Sequence, residues 1–193
     1  MTTIVAVQGD GWAVIGADSR VSDDRRAYTM HKTYGKISRT RGYLLGAAGD
    51  LRAINILQDV FTPPDAAQLS GRKLDSFITS EFIPALRKCF EEQGYAAQDK
   101  NEKAQQDSVV MALVNGSIYE ISEDYAWSKD VSGMYSMGSG SSYALGALQA
   151  LLPAPGFTLD EAKDAVKQAL MISAKLDLYT APPFTILTQT EET

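Results

Sequence analysis

Removal of the initiator methionine would expose Thr2, which would then carry a hydroxyl and a free α-amine on one residue. Such a threonine supplies nucleophile and base together, since the amine can take the proton that the hydroxyl must lose before attacking a carbonyl. An α-amine has a reference pKa near 8, about two units below that of a lysine side chain, so it can be substantially neutral at cytosolic pH. A lysine ammonium held close by lowers it further, because like charges at short range disfavour each other.

Histidine chemistry is excluded by count. The sole histidine, His31, lies in a run over residues 28–32 that reads as a strand, and no G-x-S-x-G elbow occurs. One His and one Cys cannot supply the usual zinc ligand set. Cys89 falls in the helical pattern of residues 77–90 and reads as a small apolar filler, as free cysteines commonly are. A hydrolase built on this chain must use another nucleophile.

Four segments follow one another in a fixed order. After Thr2-Thr3-Ile4-Val5-Ala6-Val7 come Gly16-Ala17-Asp18-Ser19-Arg20, His31-Lys32-Thr33-Tyr34-Gly35-Lys36-Ile37, Gly46-Ala47-Ala48-Gly49-Asp50 and Gly138-Ser139-Gly140-Ser141. Their order and spacing resemble the proteasome β-subunit family of N-terminal-nucleophile hydrolases, and within it the bacterial HslV-type protease. The likeness runs from Thr2 to about Leu187, and the stretch 169–186, with Leu178-Tyr179-Thr180 inside it, follows the HslV pattern without a gap.

The resemblance implies a threonine-type endopeptidase with an α+β fold, a four-layer αββα sandwich of two antiparallel sheets with the N-terminal strand in the centre. It implies Thr2 as nucleophile, Lys36 as the active-site lysine, Asp18 as its acidic partner, and the backbone N–H of Gly46 as oxyanion donor. Lys32 competes with Lys36, but alternation from Lys36 puts Lys32 in the preceding turn or strand end. Ser139, Asp177 and Thr180 match the remaining polar group around the nucleophile. Val21, Ser22, Tyr34, Leu44 and Ala48 match the substrate side-chain pocket; none is charged, so cleavage after apolar residues is expected. No cofactor is implied, but the backbone carbonyls of Ala174, Asp177 and Thr180 match a site for a hard cation, Na or Mg. The implied partners are polypeptide substrates, further copies of the chain in stacked rings, and a separate ATP-dependent unfoldase, since the chain has no ATP-binding motif.

Composition agrees with a cytoplasmic protein of one domain, residues 2–193. The 193 residues carry 18 basic and 24 acidic groups for a net charge of −6, without a basic run, which argues against nucleic-acid binding. The neighbouring Lys36, Arg39 and Arg41 read as a solvated strand edge. A single cysteine fits a reducing compartment, and neither a signal peptide nor a membrane-length apolar stretch is present.

Periodicity predicts strands over residues 3–8 and 12–17 around Gly9-Asp10-Gly11, then over 28–30, 36–39 and 43–47. Apolar residues at spacing three and four give a helix over 51–61, ended by Pro63-Pro64, and a longer helix over 74–93 in which Pro84 should mark a kink or boundary. Residues 98–107 read as a surface loop. Strands follow over 108–114 and 117–121 around Asn115-Gly116, then over 125–128 and 135–137. A helix over 141–152 precedes a capping box at Thr158-Leu159-Asp160-Glu161 that starts another, and the last strand spans 184–187 before a polar tail at 188–193. The helices over 51–61 and 74–93 bring more apolar surface than a small sandwich should need, which points to ring contacts. Two other readings remain open: a catalytically silent ring scaffold that keeps Met1, and an amidohydrolase acting on small amides.

Overall fold

Gly9, Asp10 and Gly11 reverse the chain between β1 (Thr3–Gln8) and β2 (Trp12–Ala17); Gly11 takes φ +71°, which a glycine adopts without strain. This hairpin is the middle of one sheet of the structure, a computed structural model that describes residues 2–23, 25–31, 33–66, 68–95 and 107–190. Antiparallel β10 (Met134–Gly138) adds beside β1, and β11 (Thr185–Thr190) beside β2, so β1 is an inner strand as expected.

A second antiparallel sheet runs in the order β5 (Ile37–Thr40), β6 (Tyr43–Gly49), β7 (Ser108–Val114), β8 (Ser117–Ile121) and β9 (Trp127–Ser128). The β7–β8 turn is the Asn115-Gly116 pair, both at positive φ. A short ribbon of β3 (Arg20–Ser22) and β4 (Ala27–Thr29) stands apart from both sheets. His31 lies beyond the end of β4, and Lys32 lies outside the described residues.

Alternation along β1 sorts its side chains into two cores. Ile4 and Ala6 point between the sheets, where they meet Ile15, Ile37, Leu44, Met111 and Leu113. Val5 and Val7 point the other way, onto α4 (Ser141–Leu151) and α5 (Leu159–Leu176), through Ala144, Leu148, Val166 and Leu170. The outer face of the second sheet, with Tyr43, Leu45, Val110 and Ala112, is covered by α1 (Leu51–Asp59), α2 (Gly71–Phe77) and α3 (Ile83–Glu92). Helices, sheet, sheet, helices: the four-layer αββα sandwich is present.

Several local expectations need correction. The helix expected over 74–93 begins at Gly71 and contains a π-helical turn, Ile78–Phe82, that joins α2 to α3. Pro84 follows that turn at the start of α3, where its missing N–H is tolerated in place of a kink. The polar residues Thr188–Thr190 belong to β11, paired with β2, rather than to a tail; 191–193 and most of the loop expected at 98–107 lie outside the described residues. The apolar faces of α1, α2 and α3 are consumed within the chain, since Ile54, Leu57, Leu74, Ile78, Phe82, Leu86 and Phe90 are all buried. Those side chains are therefore not available for ring contacts. The capping box is present, with Glu161 N–H donating to Thr158 Oγ1 at 3.3 Å and Thr158 N–H to Glu161 Oε2 at 2.7 Å. Among the described residues no helix is long and apolar enough to cross a membrane.

Candidate active site

Where β1 begins, the chain buries two charges. Lys36, just before β5, places Nζ 2.6 Å from Asp18 Oδ1, and both side chains have at most 1% of their surface exposed. The lysine is thus no part of a solvated edge, whereas Arg39 does lie at the surface, donating to the Thr188 carbonyl. Burial pushes the Lys36 ammonium below the usual lysine range, and the nearby carboxylates of Asp18 and Asp177 pull it back up.

Asp18 accepts four hydrogen bonds. Oδ1 takes the Lys36 ammonium and the Thr3 N–H (3.0 Å); Oδ2 takes the N–H groups of Arg20 (2.9 Å) and Ala181 (3.2 Å). Such charge-assisted bonds offset the cost of removing a carboxylate from water. They also tie the first residues of β1 to the end of β2 and to the segment leading into β11.

A second polar group lies on the other face of β1. Ser139, after β10, donates to Asp177 Oδ2 at 2.8 Å and reaches the Thr2 carbonyl at 3.4 Å. Thr180 Oγ1 donates to the same Oδ2 at 2.5 Å. Asp177 is the C-cap of α5, the negative end of a helix, where a carboxylate is disfavoured unless donors compensate it. Glycine makes this approach feasible. A Cβ on Gly138, itself at φ +94°, would sit 1.9 Å from the Thr2 oxygen, and one on Gly140 would sit 2.3 Å from Thr3 Oγ1.

The side chains of Asp18, Lys36, Ser139, Asp177 and Thr180 are thus brought to one end of the sandwich, next to the ends of β2, β5, β10 and α5, and Thr2 joins them through its carbonyl, just before β1. Gly46 occupies β6 opposite Ile37, the residue after Lys36. A Cβ there would point into the core, 3.0 Å from Ile4 Cδ1. Leu44 and Ala48 share this face of β6, with Leu44 fully buried and Ala48 7% exposed, so Leu44 lies deeper and Ala48 nearer the open end. Tyr34 is half exposed. Val21 and Ser22 lie on β3, and the Ser22 hydroxyl oxygen is buried without a hydrogen-bond partner among the described residues.

β5 starts at Ile37, so Ala47, Ala48 and Gly49 pair with β7 on one side but have no β5 partner on the other. A depression of about 990 Å3 lies at the opposite end of the sandwich, around Arg41, Gly42 and Asn115, away from this chemistry.

Three residues with polar contacts here went unnoticed in the sequence. Thr3 was overlooked beside Thr2, although its N–H holds Asp18 and its hydroxyl lies 2.6 Å from Thr180 Oγ1. Arg20 closes the Gly16–Arg20 segment, and its guanidinium donates at 2.5 Å to the Leu178 carbonyl. Ala181 contributes only backbone groups, its N–H to Asp18 and its carbonyl to the Ser19 N–H, which leaves no sequence signal. The carbonyls considered for a cation lie at the C-terminal end of α5: Ala174 is in its last turn, and the Asp177 oxygen accepts the Thr180 N–H at 3.3 Å. Arg20 already puts a positive charge on the neighbouring carbonyl of this turn.

No protein-family model and no curated protein matches the sequence. Solved structures do match. The chain is similar to BPH of Thiobacillus denitrificans, with a TM-score of 0.76, 22% identity and 99% of each chain covered. The same protein in complex with epoxomicin matches with a TM-score of 0.75 at 22% identity over the whole of both chains. Eukaryotic HslV from Trypanosoma brucei matches with a TM-score of 0.66 and 18% identity, covering 98% of this chain and 99% of that one. The chain has their fold. At these identities the likeness carries the architecture and not the activity.

Asp18→Asn removes the carboxylate from the buried Lys36 ammonium. It is expected to destabilise the protein by about 3–5 kcal/mol, measured as a lower denaturation midpoint in urea; an unchanged midpoint would mean that the pair is not buried in solution.

Proposed function

We infer that the chain is a threonine-type endopeptidase whose nucleophile is Thr2, freed by removal of Met1. The observation that carries this reading is the pair of polar groups converging on the start of β1, Asp18 with Lys36 on one side and Ser139 with Asp177 and Thr180 on the other. The fold shared with HslV, and with BPH in its complex with epoxomicin, supports it.

Alternation continued back from Ile4 supports a Thr2 side chain directed toward the second sheet, where Lys36 precedes β5. In the reaction Thr2 Oγ attacks the substrate carbonyl carbon while its proton passes to the α-amine. The Gly46 N–H donates to the oxyanion, an interaction typically worth about 3 kcal/mol in the transition state. Collapse breaks the peptide C–N bond, the departing nitrogen takes the proton from the amine, and an ester remains on Thr2. Water, giving a proton to the same amine, attacks the ester; the acid product leaves and the hydroxyl takes the proton back. Lys36, kept charged by Asp18, holds the amine toward its neutral form. The edge of β6 at Ala47–Gly49, open on its β5 side, and the unpartnered Ser22 hydroxyl support binding of an extended peptide by strand addition.

The protease acts as stacked rings of identical subunits, supplied with unfolded polypeptide by a separate ATP-dependent unfoldase. Exposed apolar side chains at Tyr143, Leu145, Met171, Leu176 and Leu178, on α4, on α5 and just beyond it, support contacts between copies. Val21, Tyr34 and Ala48 line the side-chain pocket, and Leu44, fully buried, lies in the core beneath it. With no charge there, a buried Arg or Glu of the substrate would lose hydration without a partner, whereas an apolar side chain gains about 1.5–3 kcal/mol on burial.

Thr2→Ala is expected to abolish hydrolysis of unfolded protein while leaving the circular dichroism and the assembly unchanged; wild-type turnover in that variant would rule the nucleophile out. Light scattering at micromolar concentration should give a mass of many subunits, and a monomer or dimer would contradict the ring. Across fluorogenic peptides that differ only before the scissile bond, kcat/KM should be higher after Leu, Tyr or Phe than after Arg or Glu. The reverse order would refute the pocket.

A further inference from the structure

Thr3 touches both polar groups of the site. Its N–H donates to Asp18 Oδ1, the oxygen that also receives Lys36 Nζ. Its hydroxyl lies 2.6 Å from Thr180 Oγ1, on the opposite face of the strand. Thr3 is fully buried and Thr180 is 1% exposed, so water does not compete for these hydroxyls.

The directions of the hydrogen bonds follow from counting protons. The Asp177 carboxylate only accepts, so Thr180 gives its single proton to Oδ2. Thr180 must then accept from Thr3, which makes a one-way chain from Thr3 through Thr180 to Asp177. Ser139 donates to the same carboxylate oxygen and, from there, reaches the Thr2 carbonyl. Gly140 leaves the space for this chain, since a Cβ there would lie 2.3 Å from Thr3 Oγ1 and 2.9 Å from Thr180 Oγ1.

We propose that Thr3 is a positioning residue: its hydroxyl orients Thr180 and Asp177, while its N–H fixes Asp18, so that one residue sets both polar groups against Thr2. This rests on the function inferred above. Hydrogen bonds in such chains polarise one another, and a buried hydroxyl that loses its donor turns to find another. Without the Thr3 hydroxyl, Thr180 is free to rotate off Asp177, and Ser139 loses a fixed partner. Thr3 does not touch the substrate, so binding should be unaffected.

Thr3→Val keeps the branched shape and the backbone N–H but removes the hydroxyl, and Thr3→Ser keeps the hydroxyl but removes the methyl group. For hydrolysis of a fluorogenic peptide by the assembled protein, Thr3→Val should lower kcat about tenfold, one buried hydrogen bond's worth, with KM unchanged. Thr3→Ser should recover most of that loss. Wild-type kcat in Thr3→Val, a change confined to KM, or equal impairment of both variants would overturn the proposal. If Thr3→Val does not fold, Thr3→Cys, similar in size and a weak donor, replaces it under the same criteria. Thr2→Ala measured alongside separates the failures. Retained turnover there removes the proposed function and this inference together, whereas an inactive Thr2→Ala beside an unaffected Thr3→Val removes the inference alone.

Discussion

A lysine and an aspartate, both shut away from water where β1 begins, impose the main constraint on this molecule. Burying two charges costs several kcal/mol each, and their attraction offsets this only with close geometry and further hydrogen bonds. The chain meets both conditions. Asp18 is 2.6 Å from Lys36 and takes three backbone N–H groups from Thr3, Arg20 and Ala181. Those donors belong to separate stretches of chain, so the pair fixes where β1, the end of β2 and the approach to β11 can lie. The second polar group, at Asp177, then has a defined strand to close on.

The sandwich supplies what such a pair requires. Two antiparallel sheets meet through Ile4, Ile15, Leu44 and Met111, which exclude water behind Lys36. The outer helices cover the remaining faces, and α5 delivers Asp177 at its C-terminus. Close approach is achieved by omitting side chains. Gly46 admits Ile4 and Ile15, Gly138 admits the Thr2 carbonyl, and Gly140 admits the Thr3–Thr180 hydroxyl pair. The site's small residues are spaces for other parts of the site.

Much of this was legible in the sequence, for identifiable reasons. Strong turn chemistry at Gly9-Asp10-Gly11 and Asn115-Gly116 marked two hairpins at their observed bounds. The Thr158–Glu161 box marked a helix start, because its partners are local. Non-local consequences were harder to see. Nothing near Thr188–Thr190 shows that β2 will pair with it, and a π-helical turn has no periodic signature of its own. The apolar stripes of α1 and α3 read as surplus because the area of sheet they would cover was not visible. Within the site, the resemblance selected Asp18, Lys36, Ser139, Asp177 and Thr180, which the fold brings together, but Thr3 was hidden by its neighbour, because only the three-dimensional pairing shows that its hydroxyl meets Thr180.

The proposed chemistry rests on Thr2 and its own amine. Mass spectrometry of the assembled protein, acid-quenched during turnover of a peptide substrate, is the decisive measurement. It should show a chain that begins at Thr2 and a substrate acyl group mapping to its N-terminal peptide. A chain that retains Met1 while hydrolysing peptide at full rate, or an acyl group on any other residue, would contradict that chemistry.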